Sequence, residues 1–239
     1  MQAQRRLDFP ALLNARDLGG CPTTDGALTR SRSLLRADDL AQLTPQGLEA
    51  LRAYGVTTVL DMRWADEARR YPSQVRQVLP ELRYVHLPLL TETEDEWRLR
   101  SSEVRKEDWN CMALQRAGAE LRRLLAVIAG SPPGPLLFHC VAGKDRTGLV
   151  AALLLAVAEA TPEAIASDYA ESGPNLRDGY LKRYAEADPA RILEAIRCPE
   201  AGVHNLLSFL AAAGGVHAWL QQLGLTRRQL MALRARLRE

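Results

Sequence analysis

Apolar and polar positions recur along this chain with two different periods, and the period predicts the elements. Val56-Thr57-Thr58-Val59-Leu60 is a short β-branched apolar run, read as a buried strand that ends in Asp61-Met62-Arg63. Ser31 to Arg36, Arg83 to Leu89 and Pro135 to Phe138 read as further strands. Helical spacing of Leu114, Ala117, Leu121, Leu124, Leu125 and Ile128 predicts a helix over 113–129, stopped by Gly130-Ser131-Pro132-Pro133-Gly134. Thr44-Pro45 and Thr161-Pro162 each place an N-cap before a proline at the first helical position, and Gly55 closes the first of these helices. Gly148 to Ala158 is apolar on every side, the pattern of a buried helix. From Gly173 onward the pattern is helical, broken at Asp188-Pro189, Cys198-Pro199 and Gly214-Gly215.

Strands alternate with helices through the first two-thirds and helices take over the last third. The expected fold class is therefore α/β: a central, mostly parallel sheet flanked by helices, in one domain over 1–239, with a helical C-terminal part over 162–239. Two segments depart from the pattern. Residues 8–20 form an entry segment closed by Gly19-Gly20, where a solvated loop accounts for Asn14, Arg16 and Asp17 as well as any site does. Residues 91–112 are acidic and then of mixed charge, which fits an insertion or lid and equally a solvated surface helix.

Composition changes this picture little. Of 239 residues, 47% are hydrophobic and 25% charged, and the formal net charge of +2 gives no global reason to expect nucleic acid or an anionic membrane as partner. Met1 to Arg6 has no apolar core, and the run from Gly148 to Ala158 is about half of the ~20 residues a membrane span needs. No stable membrane insertion is expected; the default compartment is the cytoplasm, with signal-independent secretion left open. Cys21, Cys111, Cys140 and Cys198 form no Cys-x-x-Cys or Cys/His cluster, so neither a zinc site nor a disulfide framework is expected, and no cofactor is. Oxidative pairing of Cys21 or Cys111 with Cys140 is a minor possibility.

The candidate chemistry lies in Leu137-Phe138-His139-Cys140-Val141-Ala142-Gly143-Lys144-Asp145-Arg146-Thr147-Gly148, a strand, a turn of small and polar residues, and a helix start. Successive N–H groups in such a turn form a nest for an anion, and the helix adds its positive end. Substrate oxygens would lie on the loop of Val141, Ala142, Gly143 and Lys144. Gly143 permits a backbone conformation closed to other residues. Arg146 can fork two N–H donors onto two phosphoryl oxygens. The same positive field favours the Cys140 thiolate, the attacking form. Thr147 can donate its hydroxyl to that sulfur, and His139 either orients the cysteine or is a satisfied core histidine. This is the equipment for covalent catalysis on phosphorus without a metal. A nucleotide-binding P-loop is excluded, because Phe138 stands where its first glycine belongs and Asp145 follows Lys144.

The stretch His139 to Gly148 resembles the His-Cys-x5-Arg-Ser/Thr signature of the cysteine-dependent protein tyrosine phosphatase superfamily. Its Ala-Gly-Lys-Asp interior is similar to that of a bacterial tyrosine and dual-specificity branch. Asn14 to Gly20, Val59 to Arg63, Asp168-Tyr169 and the region from Trp219 to Arg234 resemble that branch as well. The resemblance implies a phosphatase-like fold, a phosphocysteine intermediate, and a phosphorylated protein or phosphoinositide as substrate, with serine/threonine phosphoesters also in range. Protonation of the leaving oxygen needs a carboxylic acid. No aspartate directly follows Pro88, where many relatives carry it; the resemblance points to Asp61 first, and Asp145, inside the cradle, ranks second. A structural ion pair between Asp61 and Arg63 is nearly as good a reading of Asp61. Lys144 would either help hold a second phosphate or be a solvated lysine. Two other functions remain: a phosphate-binding module without catalysis, and a rhodanese-like sulfurtransferase, disfavoured by the Gly-Lys-Asp-Arg-Thr-Gly continuation.

Overall fold

A computed structural model describes residues 5–91, 95–96 and 104–238. Five strands form one sheet: β1 (Arg16–Asp17), β2 (Leu34–Ala37), β3 (Thr58–Asp61), β4 (Arg83–His86) and β5 (Leu136–His139), in the order β1-β2-β5-β3-β4. Strands β2, β5, β3 and β4 run parallel and β1 is antiparallel to β2, so the mostly parallel sheet expected from the sequence is present.

Side chains alternate across the sheet with the period of a strand. Leu34, Leu136, Phe138 and Leu60 join the larger core, with α5 (Gly118–Ala129) and α6 (Asp145–Val157) packed on it through Leu121, Leu124, Leu149 and Leu153. Leu35, Ala37, Leu137 and Val59 join a second core with α1 (Pro45–Tyr54) and α3 (Val75–Val78), through Leu48, Leu51, Val75 and Leu79. Each fully buried leucine here contributes roughly 1.5–3 kcal/mol of transfer free energy. Thr44 caps α1 by accepting the Gly47 N–H at 3.1 Å, and Gly55 closes it in the left-handed conformation. Helix α6 is buried on all sides, as its apolar sequence requires, and no helix among the described residues is long and apolar enough to cross a membrane.

Three expectations need adjustment. The helix expected over 113–129 is two: α4 (Trp109–Arg116), then α5 after a break at Ala117 (φ −90°, ψ 21°). Helix α4 begins inside the segment read as an insertion or lid, yet buries Asn110, Ala113 and Leu114 and packs on α10 (Ala201–Ala212). Residues 92–94 and 97–103 of that segment lie outside the described residues. The strand expected to begin at Ser31 begins at Leu34, because Arg32 takes a left-handed backbone (φ 58°). And α2 (Ala65–Arg70) was absent from the sequence reading: its cap position holds Trp64 rather than a Ser, Thr, Asp or Asn. The C-terminal part is helical throughout, with α7 (Pro162–Ala170), α8 (Ser172–Arg183), α9 (Pro189–Ile196), α10, α11 (Val216–Gln222) and α12 (Arg227–Leu237).

The register decides where chemistry can happen. His139 pairs with Ala37 on one side and Asp61 on the other. The next residues, Asp38, Cys140 and Met62, therefore leave the sheet side by side at its carboxyl edge, where ligands bind in open α/β sheets.

Candidate active site

Between Cys140 at the end of β5 and Asp145 at the start of α6, the backbone carbonyls are held outward. The Val141 carbonyl accepts from the Asp39 N–H at 3.0 Å. The Asn14 amide donates to the Ala142 and Gly143 carbonyls at 3.0 and 3.1 Å, and Arg36 donates to the Gly143 carbonyl at 2.7 Å. In a trans peptide the N–H points opposite to the C=O. Outward carbonyls at 141, 142 and 143 thus turn the N–H groups of Ala142, Gly143 and Lys144 inward, where they meet no acceptor among the described residues. Gly143 makes the turn possible: its φ is +63°, and a Cβ there would lie 2.4 Å from the Ala37 carbonyl oxygen.

A buried charge network supports this turn. Asp168 of α7 receives Arg36 at 2.5 Å, Arg16 at 3.0 Å, and Arg5. Arg16 also donates to the Asn14 side-chain oxygen at 2.5 Å, which orients the amide so that its nitrogen faces the loop. Burial would push Asp168 up, but the three guanidinium groups outweigh it and hold its carboxyl well below the usual range. Arg16 is pushed down to about 10, by burial and then by Arg36. Asp38 accepts the Leu13 N–H at 3.0 Å and the Asn14 N–H at 3.0 Å, and burial raises its carboxyl to about 6. Of the two readings left open for the entry segment, the solvated loop is not the one observed for its polar residues: Asn14, Arg16 and Asp17 are all buried.

Arg146 stands opposite the turn. Its two terminal nitrogens donate to Glu67 of α2 at 2.6 and 2.9 Å, and its guanidinium lies 4.1 Å from the Trp64 ring centroid. Glu67 Oε2 also accepts the Trp64 N–H at 2.8 Å, so the cap of α2 and the arginine share one carboxylate. Burial alone would lower Arg146; nearby Cys140 and Glu67 outweigh it and raise it. Sequence reasoning missed Glu67 and Trp64. The only available signal was an acidic residue three positions after a turn, as in a capping box.

The other predicted residues divide. Cys140 is buried at the turn, and Thr147 on the first turn of α6 has a buried hydroxyl with no hydrogen-bond partner among the described residues. His139 is fully buried; its Nδ1–H donates to the Cys140 carbonyl at 3.1 Å, and burial lowers its pKa. Lys144 is not solvated: it is buried, donates to the Ala195 carbonyl at 2.7 Å and lies 3.3 Å from Asp145, tying the loop to α9. Asp145 is 38% exposed and 3.5 Å from the Tyr169 hydroxyl. Asp61 is buried in a fork with Arg63 (2.7 and 3.0 Å) and accepts the Tyr84 hydroxyl at 2.7 Å. Burial would raise Asp61, but His139, then Arg63 and Tyr84, outweigh it and hold its carboxyl well below the usual range. A cavity of about 670 Å³ adjoins the loop on the side of Lys144 and Asp145, and Lys106, Glu194 and Arg197 also line it.

A family model described as the tyrosine phosphatase family matches residues 7–239. The chain belongs to that family. It is 29% identical to a tyrosine-protein phosphatase of Nostoc commune over 219 residues, covering 86% of this chain and 74% of that protein. It is 31% identical to the triple specificity protein phosphatase PtpB of Mycobacterium tuberculosis over 207 residues, 71% of each chain. A crystal structure of Pseudomonas aeruginosa TpbA overlays with a TM-score of 0.35 at 22% identity, covering 69% of this chain and 86% of that one. Membership of that family makes the chain a hydrolase acting on phosphorylated substrates.

Proposed function

We propose that this phosphatase hydrolyses phosphotyrosine and related phosphate monoesters through a phosphocysteine on Cys140. The observation that carries the reading is the set of inward N–H groups at 142–144, fixed by outward carbonyls over a positively charged network. Such donors suit the equatorial oxygens of a phosphoryl group in transfer. The Cys140 thiolate attacks phosphorus as the ester P–O bond breaks. Arg146 and the loop amides hold the charge, and the leaving oxygen takes a proton. Water then attacks the phosphocysteine, gives up its proton, and inorganic phosphate and the Cys140 thiolate are regenerated. Thr147, whose hydroxyl has no partner among the described residues, donates to the departing sulfur. His139 fixes the Cys140 peptide through its carbonyl.

For the acid we favour Asp145 over Asp61, reversing the order drawn from the sequence. Asp145 is partly exposed, lines the adjoining cavity and is only loosely engaged. Asp61 is an ionised carboxylate whose oxygens are taken by Arg63 and Tyr84, so its role is to position Arg63 and the loops around it.

A second substrate class rests on the adjoining cavity. Lys106 on its wall, 3.5 Å from Glu194, supplies a cation for a further phosphate, as a phosphoinositide would offer, while Arg105 and Arg197 are held by Asp108, Glu107 and Glu194. Lys144 contributes by holding the loop to α9. A panel of aryl phosphate, phosphotyrosine, phosphoserine and phosphothreonine peptides and phosphoinositides, run with wild type and Cys140→Ser, tests the assignment. Turnover of phosphotyrosine that vanishes in Cys140→Ser supports it, and turnover that survives the substitution refutes it. Phosphoinositide hydrolysis weakened by Lys106→Ala supports the second class; none above background removes it.

A further inference from the structure

The cradle occupies the carboxyl ends of β2, β5 and β3, and the opposite ends of β2 and β5 carry a second cavity of about 330 Å³. Arg30, Arg32 and Ser33 line it just ahead of β2, Gly134 just ahead of β5, and Arg236 from α12. Four-residue strands separate it from the cradle by about 13 Å, so it is no extension of the active site.

Its charge is one-sided. No acidic side chain among the described residues lines it. The Arg236 guanidinium donates to the carbonyls of Gly134, Ser131 and Pro132 at 2.9, 2.6 and 2.9 Å. These contacts fix the plane of the group but supply no countercharge, and they leave the Nε–H and one terminal N–H unspent. Arg32 is turned toward Tyr54, lying 4.3 Å from its ring centroid and donating to its carbonyl at 2.7 Å. The Arg30 side chain has no ion pair or hydrogen bond among the described residues, and its charge reaches Arg236, whose pKa falls through burial first and Arg30 second. Some other arginines do have carboxylate partners: Arg52 with Glu49 and Glu81, Arg234 with Glu159, Arg238 with Asp25. Like charges gathered in one concavity repel, and an anion seated between them removes that cost.

We propose that this cavity is a second anion site, taking a phosphate-class oxyanion between Arg30 and the fixed guanidinium of Arg236, whose Nε–H is free to donate. The oxyanion is either free inorganic phosphate, the product of the proposed reaction, or a phosphate carried on a peptide. Both present the same oxygens to the two guanidinium groups.

Calorimetric titration of the full chain with inorganic phosphate tests this. Two sites per chain are expected, one at the cradle and one that Arg30→Ala weakens by about tenfold or more. Arg30→Ala is expected to leave kcat/KM on an aryl phosphate unchanged. Arg236→Lys, which keeps the charge but loses the Nε–H and the plane that the carbonyls fix, is expected to weaken the same site. A phosphonate peptide that displaces phosphate from the Arg30-dependent site marks a peptide-borne ligand; failure to displace it marks the free ion. A single phosphate per chain, with affinity the same in wild type and Arg30→Ala, overturns the proposal.

Discussion

Glu67 holds Arg146 through both carboxylate oxygens, and this pair sets how the arginine meets substrate. A fork fixed at 2.6 and 2.9 Å keeps the guanidinium plane in place without rotamer search, which lowers the entropic cost of gripping a phosphoryl group. Glu67→Gln should keep the fold and lower kcat/KM on an aryl phosphate by roughly ten- to a hundredfold, with the larger part in KM. An unchanged KM in steady-state kinetics would show that Glu67 serves only α2. Asp145 makes a different prediction. If it protonates the leaving oxygen, Asp145→Asn should slow phosphotyrosine peptides by about a hundredfold and an activated aryl phosphate far less, since a good leaving group needs little protonation. Asp61→Asn, by contrast, should appear mainly in thermal unfolding, because breaking a buried ion pair costs on the order of 3–5 kcal/mol.

At the scale of elements, the cradle depends on segments distant in sequence. Asn14 from the entry segment and Arg36 from the end of β2 pin the loop carbonyls that β5 delivers. Asn14→Ala should weaken binding of inorganic phosphate as a competitive inhibitor by about tenfold while costing only about 1–3 kcal/mol of stability. Equal inhibition constants in wild type and variant would separate Asn14 from the cradle. Strands β2 to β5, with α1, α6 and α7, are legible from sequence because period and caps there agree with tertiary packing, whereas β1 is two polar residues with no period to read. The loop was legible because Cys140, Gly143 and Arg146 fall in one unbroken run. Glu67, Asp38 and Asp168 were not assigned roles, since their partners Arg146, Asn14 and Arg36 come from other elements and only parallel register brings them together. Asn14 and Arg16 looked like loop residues for the same reason: a polar residue buried by a distant partner has no periodic signature.

For the whole molecule, buried charge couples catalysis to stability. Asp38 has its carboxyl raised from 3.8 to about 6, so its contribution to stability is full below the unfolded value and lost as pH rises through about 6. Asp61 and Asp168 are depressed; their contributions are present above the unfolded value near 3.8 and lost as pH falls below it. Thermal unfolding should therefore show greatest stability between about pH 4 and 6, and Asp38→Asn should flatten the decline on the alkaline side of that range. The same network leaves three guanidinium groups, Arg5, Arg16 and Arg36, around Asp168 and Glu171, and that excess of positive charge lies under the turn that is to receive a phosphate. All of this serves one chemical event, the transfer of phosphorus to sulfur. Rapid acid quench of wild type with a phosphotyrosine peptide, followed by peptide mass mapping, observes it directly. One phosphoryl group on the peptide containing Cys140, formed more slowly in Asp145→Asn, is the predicted result; full turnover with no phosphoryl group on any cysteine would contradict it.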